Sequence, residues 1–250
     1  MIPSVHRQEW YDIYTKPESK ALCVFVHGYG GSHSSKHWGN VPELISYDPE
    51  LNNVDFCFWG YTTSRSFFAN FYPFMNKSKK LSSLDLISYN LCSHLETIFC
   101  QNQYQTILLI GHSMGGLISC LAATKLIESR SEVNIDRILL YATPMSAPEV
   151  AVVGSRFAPF NPHLRLLGNS KKIHNIMKVK VPIIQRNSCP IDYIFCCADE
   201  VLEYDEGVEF KSRKHINARH SWMQDSCDYS TEAYIALKNW VVMAAKDYRQ

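Results

Sequence analysis

The segment Gly111-His112-Ser113-Met114-Gly115-Gly116 is the part of the chain best suited to covalent chemistry. It follows the apolar run Thr106–Ile110 and leads into a helical pattern beginning at Met114. A serine in Gly-x-Ser-x-Gly spacing, at a strand-to-helix turn, sits at the tip of a sharp, strained backbone. Gly111 and Gly115 let strand and helix approach without a Cβ clash, and the helix N-terminus favours negative charge near the serine oxygen. The chemistry this suits is acyl transfer through Ser113, with a base, an acid that orients the base, and donors for the oxyanion. A plain glycine-rich turn is the competing reading. The preceding strand, the following helix and the additional Gly116 argue against it.

His27-Gly28-Tyr29-Gly30-Gly31 closes an earlier apolar run and can offer main-chain N–H groups to an oxyanion. The expected donors are the N–H of Tyr29 and the N–H of Met114, the residue after the serine. A phosphate-cradling loop would need the lysine of GxxxxGK[ST], which is missing. His27 and His112 read as packing and turn-shaping residues rather than bases.

The acid and base should follow the serine in the chain order Ser, Asp/Glu, His. Ligand-facing residues of such sheets lie at the carboxyl ends of strands. Asp199 lies at that end of the run Ile191–Cys197 and is the expected acid, whereas Asp192 lies at the opposite end. Glu203 and Asp205 are further along the same loop, and Glu149 is the alternative if the acid follows the preceding strand. Two histidines come after Asp199. His215 falls in Lys214–Ala218, a candidate last strand, and reads as a strand-edge residue. His220 follows in Arg219-His220-Ser221-Trp222, where a loop can present the ring to Ser113, so His220 is the expected base.

The elements that must hold these residues are legible as alternation. Ala21–Val26, Val54–Trp59, Thr106–Ile110, Ile138–Tyr141 and Ile191–Cys197 are short apolar runs ending at turn residues, as strands buried on both faces do. Helix patterns lie at Leu84–Phe99, Met114–Glu128 and Ser230–Ala245, the last with Ser230 or Thr231 as N-cap. The expected fold class is α/β: a mostly parallel central sheet with helices on both faces. Residues 145–190 fit the sheet poorly and read as a short cap-like excursion. It is too short to fold alone, so residues 1–250 count as one domain.

Composition narrows the setting. A net charge of +1 gives no general pull towards nucleic acid. The first twenty residues do not read as a signal peptide, and no apolar run is long enough to span a bilayer. Nine scattered cysteines without a secretory signal read as thiols in a reducing, cytoplasmic compartment. No CxxC or HExxH spacing supports a metal, and the chemistry needs no cofactor.

Val26-His27-Gly28-Tyr29-Gly30-Gly31, then Trp38-Gly39-Asn40, then Phe58-Trp59-Gly60-Tyr61-Thr62-Thr63-Ser64, followed in order by Gly111–Gly116 and Ala142-Thr143-Pro144, resembles one group of proteins. These are the lipase-like α/β-hydrolases related to GPI-inositol deacylases and to the mitochondrial serine-active-site lipid-remodelling protein. The likeness covers roughly residues 21–175. The chain reads Pro144-Met145-Ser146-Ala147 where that family usually has a Pro-His-Ser-Gly-like turn, a difference that bears on substrate choice. The resemblance implies esterase or lipase chemistry on acyl lipids; the residues alone imply acyl transfer, which a thioesterase or acyltransferase shares. A non-catalytic binding module is the alternative from another class. Phe67, Phe68, Phe71, Tyr72, Phe74 and Met75 precede Lys77, Lys79 and Lys80. Core packing beside a solvated basic turn is the plainer reading there, and an acyl-binding wall or peripheral membrane contact is the other.

Overall fold

Residues alternate along β3 (Ala21–Val26), so that Leu22, Val24 and Val26 enter one core cluster while Ala21, Cys23 and Phe25 enter another. A strand buried on both faces needs a helical layer on each side, and that requirement sets the architecture. The computed structural model describes residues 3–33, 35–63, 83–102, 104–145, 162–197, 208–220 and 228–246. Its eight strands are β1 (Ser4–Arg7), β2 (Tyr11–Thr15), β3, β4 (Val54–Trp59), β5 (Thr106–His112), β6 (Ile135–Tyr141), β7 (Ile191–Cys196) and β8 (Ser212–Ile216). They form one sheet in the order β1-β2-β4-β3-β5-β6-β7-β8. Pairing is parallel from β4 to β8, and β2 runs antiparallel to both its neighbours.

One helical layer holds α3 (Leu84–Asn102), α4 (Met114–Glu128) and α6 (Ser170–Arg186), preceded by the short α5 (Pro162–Leu167). Leu91 and Leu95, Leu117 and Leu121, and Ile173, Met177 and Val181 carry these helices into the first core. The opposite layer holds α1 (Ser35–Trp38), α2 (Val41–Tyr47) and α7 (Glu232–Ala244). There Trp38, Ile45, Tyr234, Leu237 and Trp240 meet Phe25, Phe56 and Phe58. Thr231 is the N-cap of α7 by position, although its side chain makes no capping bond.

The expected strands and helices are present, with ends displaced by a few residues. Two parts of the chain differ from expectation. The polar, aromatic N-terminus supplies β1 and β2, the antiparallel edge of the sheet. In the second half of the expected excursion 145–190, α6 joins the helical layer, with Ile173, Met177, Val181 and Ile184 buried. Its one-sided apolar pattern was obscured by Pro182 inside the helix and by a polar N-terminal turn, which Asn169 caps through its side chain to the Lys172 N–H. Residues 146–161, and with them Glu149, lie outside the described residues, as does the aromatic and lysine stretch 67–80. No helix among the described residues is long and apolar enough to cross a membrane.

Asp192 anchors the far end of the sheet. At the start of β7 its buried carboxylate accepts from Trp240 Nε1 (2.8 Å), Ser212 Oγ (2.6 Å) and Arg137 Nη1 (3.3 Å), tying α7, β8 and β6 together. Removing it strands three donors at once, so Asp192→Ala should lower unfolding free energy by about 3 kcal/mol, read as a fall in the urea midpoint. An unchanged midpoint would show that the network contributes nothing.

Candidate active site

Ser113 follows β5 and precedes α4, with φ 52 and ψ −125. A non-glycine residue at positive φ is held there only by its surroundings. Its N–H donates to the Tyr141 carbonyl at 2.9 Å, and the Gly116 N–H donates to the Ser113 carbonyl at 3.0 Å. The helix can start this close to the sheet because residue 115 is glycine. A Cβ there would lie 2.0 Å from the Val26 carbonyl oxygen.

The end of β3 reaches the same place. A Cβ on Gly28 would meet the Ser113 Cβ at 2.8 Å and its Oγ at 3.3 Å, so the His27–Gly31 loop lies directly against the serine. This loop turns through a Gly31 N–H to Gly28 carbonyl bond of 3.1 Å, with Gly30 at φ 76. Tyr29 stands at the corner of that turn, and its ring meets His163 of α5 edge-on at 6.2 Å. Met114 heads α4, where first-turn N–H groups lack intrahelical acceptors.

His220 lies beyond β8, and its Nε2 is 2.9 Å from Ser113 Oγ. His215 is elsewhere: it is exposed on β8 with its ring against Phe195 at 5.6 Å. Of the carboxylates, Asp192 is at the opposite end of β7, engaged as described above. Asp199, Glu203 and Asp205 lie outside the described residues. The last described residue before them, Cys197, donates its N–H to the Ile216 carbonyl at 2.8 Å, so the chain leaves β7 on the sheet edge that bears Ser113.

Two further histidines are built into the floor. His27 is fully buried, and burial lowers its pKa to about 3. Its Nδ1–H donates to the Gly28 carbonyl at 2.8 Å and its Nε2 accepts the Tyr61 N–H at 3.2 Å, which fixes the neutral tautomer. Tyr61 stacks on this ring at 4.1 Å and donates its hydroxyl to the His27 carbonyl at 2.7 Å, pinning the loop to the end of β4. Burial also holds His112 well below the ordinary histidine range. Tyr61 was not singled out from the sequence, because only the β4–β3 pairing brings it to His27. Among the described residues no cluster of three or more His, Cys, Asp or Glu could hold a metal ion.

The arrangement is a serine hydroxyl on a strained turn, hydrogen-bonded to a loop imidazole and backed by a glycine loop. The family model described as "Putative serine esterase (DUF676)" matches residues 16–185. The chain belongs to this family. A GPI inositol-deacylase from Candida albicans is 32% identical over 137 residues, which are 50% of this chain and 31% of that relative's length. Est1E from Butyrivibrio proteoclasticus, in a structure with ferulic acid, superposes with a TM-score of 0.61 at 16% identity, covering 94% of this chain and 96% of its own. The mature lipase BlEst2 from Bacillus licheniformis gives 0.63 at 12% identity, covering 94% and 99%. The fold is that of the α/β-hydrolases.

The buried histidines set the acid response of the fold. Unfolded, each titrates near the ordinary value of about 6.5. Folded, His27 is depressed to about 3 and His94, also by burial, to about 4. Below about pH 6.5 the unfolded chain therefore binds protons that the folded chain refuses, and stability falls by up to about 1.4 kcal/mol per pH unit for each such group. Urea midpoints should thus decline from neutral pH towards about pH 5, and His94→Gln should make the decline shallower. A flat profile would mean that these rings protonate in place.

Proposed function

We propose that the chain hydrolyses carboxylic esters, with acyl esters carried on lipids as its substrate class, through Ser113, His220 and Asp199. The observation that carries this reading is the 2.9 Å contact between His220 Nε2 and Ser113 Oγ on a turn of positive φ. His220 Nε2 takes the Ser113 proton as Oγ attacks the acyl carbonyl carbon. The N–H groups of Tyr29 and Met114 receive the oxyanion. His220 returns the proton to the departing alcohol, and water releases the acyl group from Ser113 by the same steps in reverse roles. Asp199 accepts from His220 Nδ1–H and stabilises the imidazolium. The lipid-borne ester is supported by the match of half the chain to a relative named for GPI inositol deacylation.

Ser113→Ala should abolish hydrolysis of nitrophenyl esters and labelling by a fluorophosphonate probe, with the melting temperature nearly unchanged. Substantial hydrolysis by this variant would remove Ser113 from the mechanism. Asp199→Asn should lower kcat by about 10⁴-fold, the cost of losing the imidazole tautomer. If Glu203→Gln is the more damaging change, the acid is Glu203. A series of esters of graded chain length, measured as kcat/KM, tests the lipid reading: a preference for acetyl over long acyl groups contradicts it.

A further inference from the structure

His112 lies between the serine and the main chain of the base. It is the last residue of β5, is 4% exposed, and its Nε2 stands 2.8 Å from the carbonyl oxygen of His220. A carbonyl only accepts, so Nε2 carries the hydrogen. Nδ1 is then the lone-pair nitrogen, and it is buried with no hydrogen-bond partner among the described residues. A polar atom left in that state destabilises the fold relative to an apolar side chain of the same volume. Among the described residues the imidazole makes one hydrogen bond, and that bond goes to the His220 carbonyl.

His220 stands outside the strands. It sits four residues past the end of β8, in a segment where Ala218 donates its N–H to the Ile216 carbonyl at 3.1 Å, and no strand pairing reaches it. Two contacts join it to one dipeptide: Nε2 to Ser113 Oγ at 2.9 Å and its carbonyl to His112 Nε2 at 2.8 Å. The donor ring is itself confined. The His220 ring is 5.1 Å from it, and the rings of Trp38 and His37 are each 6.4 Å away. Among the described residues the rings facing His112 are those of two histidines and a tryptophan.

From this geometry we infer that His112 is a positioning residue, whose Nε2–H clamps the His220 main chain and so fixes the distance between base and nucleophile. The acid orients the imidazole of the base; His112 orients the backbone that carries it. The inference rests on the reading of Ser113 and His220 as nucleophile and base.

The test uses the full chain with His112→Gln, whose amide N–H reaches about as far as Nε2–H, and His112→Met, which keeps volume without a donor. His112→Met should lower kcat by about 10²-fold, the scale of a misplacement near 1 Å, with little change in KM. His112→Gln should restore most of the rate. Titration with a fluorophosphonate should label the same fraction of molecules in the Met variant as in the wild type, but more slowly. A reduced labelled fraction with normal turnover per labelled molecule would mean that His112 only supports packing, and would overturn the clamp. So would a Gln variant as slow as the Met variant, or two variants at the wild-type rate. If the Met variant does not fold, His112→Asn, whose amide is too short to reach, takes its place. A wild-type chain that is not labelled at Ser113 overturns the nucleophile and base reading, and the clamp with it.

Discussion

The backbone of Ser113 is the constraint on which the rest of the site depends. At φ 52 a serine sits in a conformation costing on the order of 1–3 kcal/mol, and it persists only where the surroundings over-determine it. Here they do so from three sides. β5 is an interior strand, paired along its length with β3 and β6. α4 is buried all round from Met114 to Thr124, which marks it as the most enclosed helix of its layer. The absence of a Cβ at residue 115 lets that helix close on the Val26 carbonyl. Relaxing the turn would require the central strand and its helix to separate, at the expense of packing on both.

Sheet order then determines what can meet the serine. β3 and β6 flank β5, so the loops after them border Ser113 on either side. The Gly28 loop occupies the β3 side. On the β6 side, Thr143 donates its hydroxyl to the Gly111 carbonyl at 3.2 Å and accepts at its own carbonyl from Tyr193 OH at 3.0 Å, so that exit is braced by β7. His220 comes from further away, past β8, and its segment crosses back to the end of β5. That crossing explains why a residue outside any strand makes the most consequential contact of the site.

Much of this was legible in the sequence, for a physical reason. Runs such as Ala21–Val26 and Thr106–Ile110 are buried on both faces, and double burial leaves an unbroken apolar signature ending at a turn. Gly-x-Ser-x-Gly is legible because each glycine answers a local steric demand. β1 and β2 were not, since β1 is exposed throughout and Lys16 follows β2 with its ammonium buried against the Leu51 carbonyl, a pattern that composition reads as polar tail. α6 was hidden by Pro182. The contacts of Tyr61 with His27 and of His112 with His220 could not be read from it. Each joins residues more than thirty positions apart, across a strand pairing or a loop crossing that only the assembled sheet defines.

Burial, more than residue type, sorts the histidines around Ser113. His27, His37, His112 and His220 form a near-continuous column of rings, with successive centroids 5.6, 6.4 and 5.1 Å apart. Any charge on one would be felt by the next, in surroundings where such repulsion is poorly screened. Desolvation removes that conflict at His27 and His112 by keeping them neutral. His220 alone of these four is only partly buried, so it is the ring beside which solvent can assist a transient positive charge. Under the proposed mechanism a charged His112 would oppose an imidazolium at His220, whereas a neutral one donates a hydrogen bond to its carbonyl. Of four copies of one side chain, the fold thus leaves one partly open to water and keeps the other three from it.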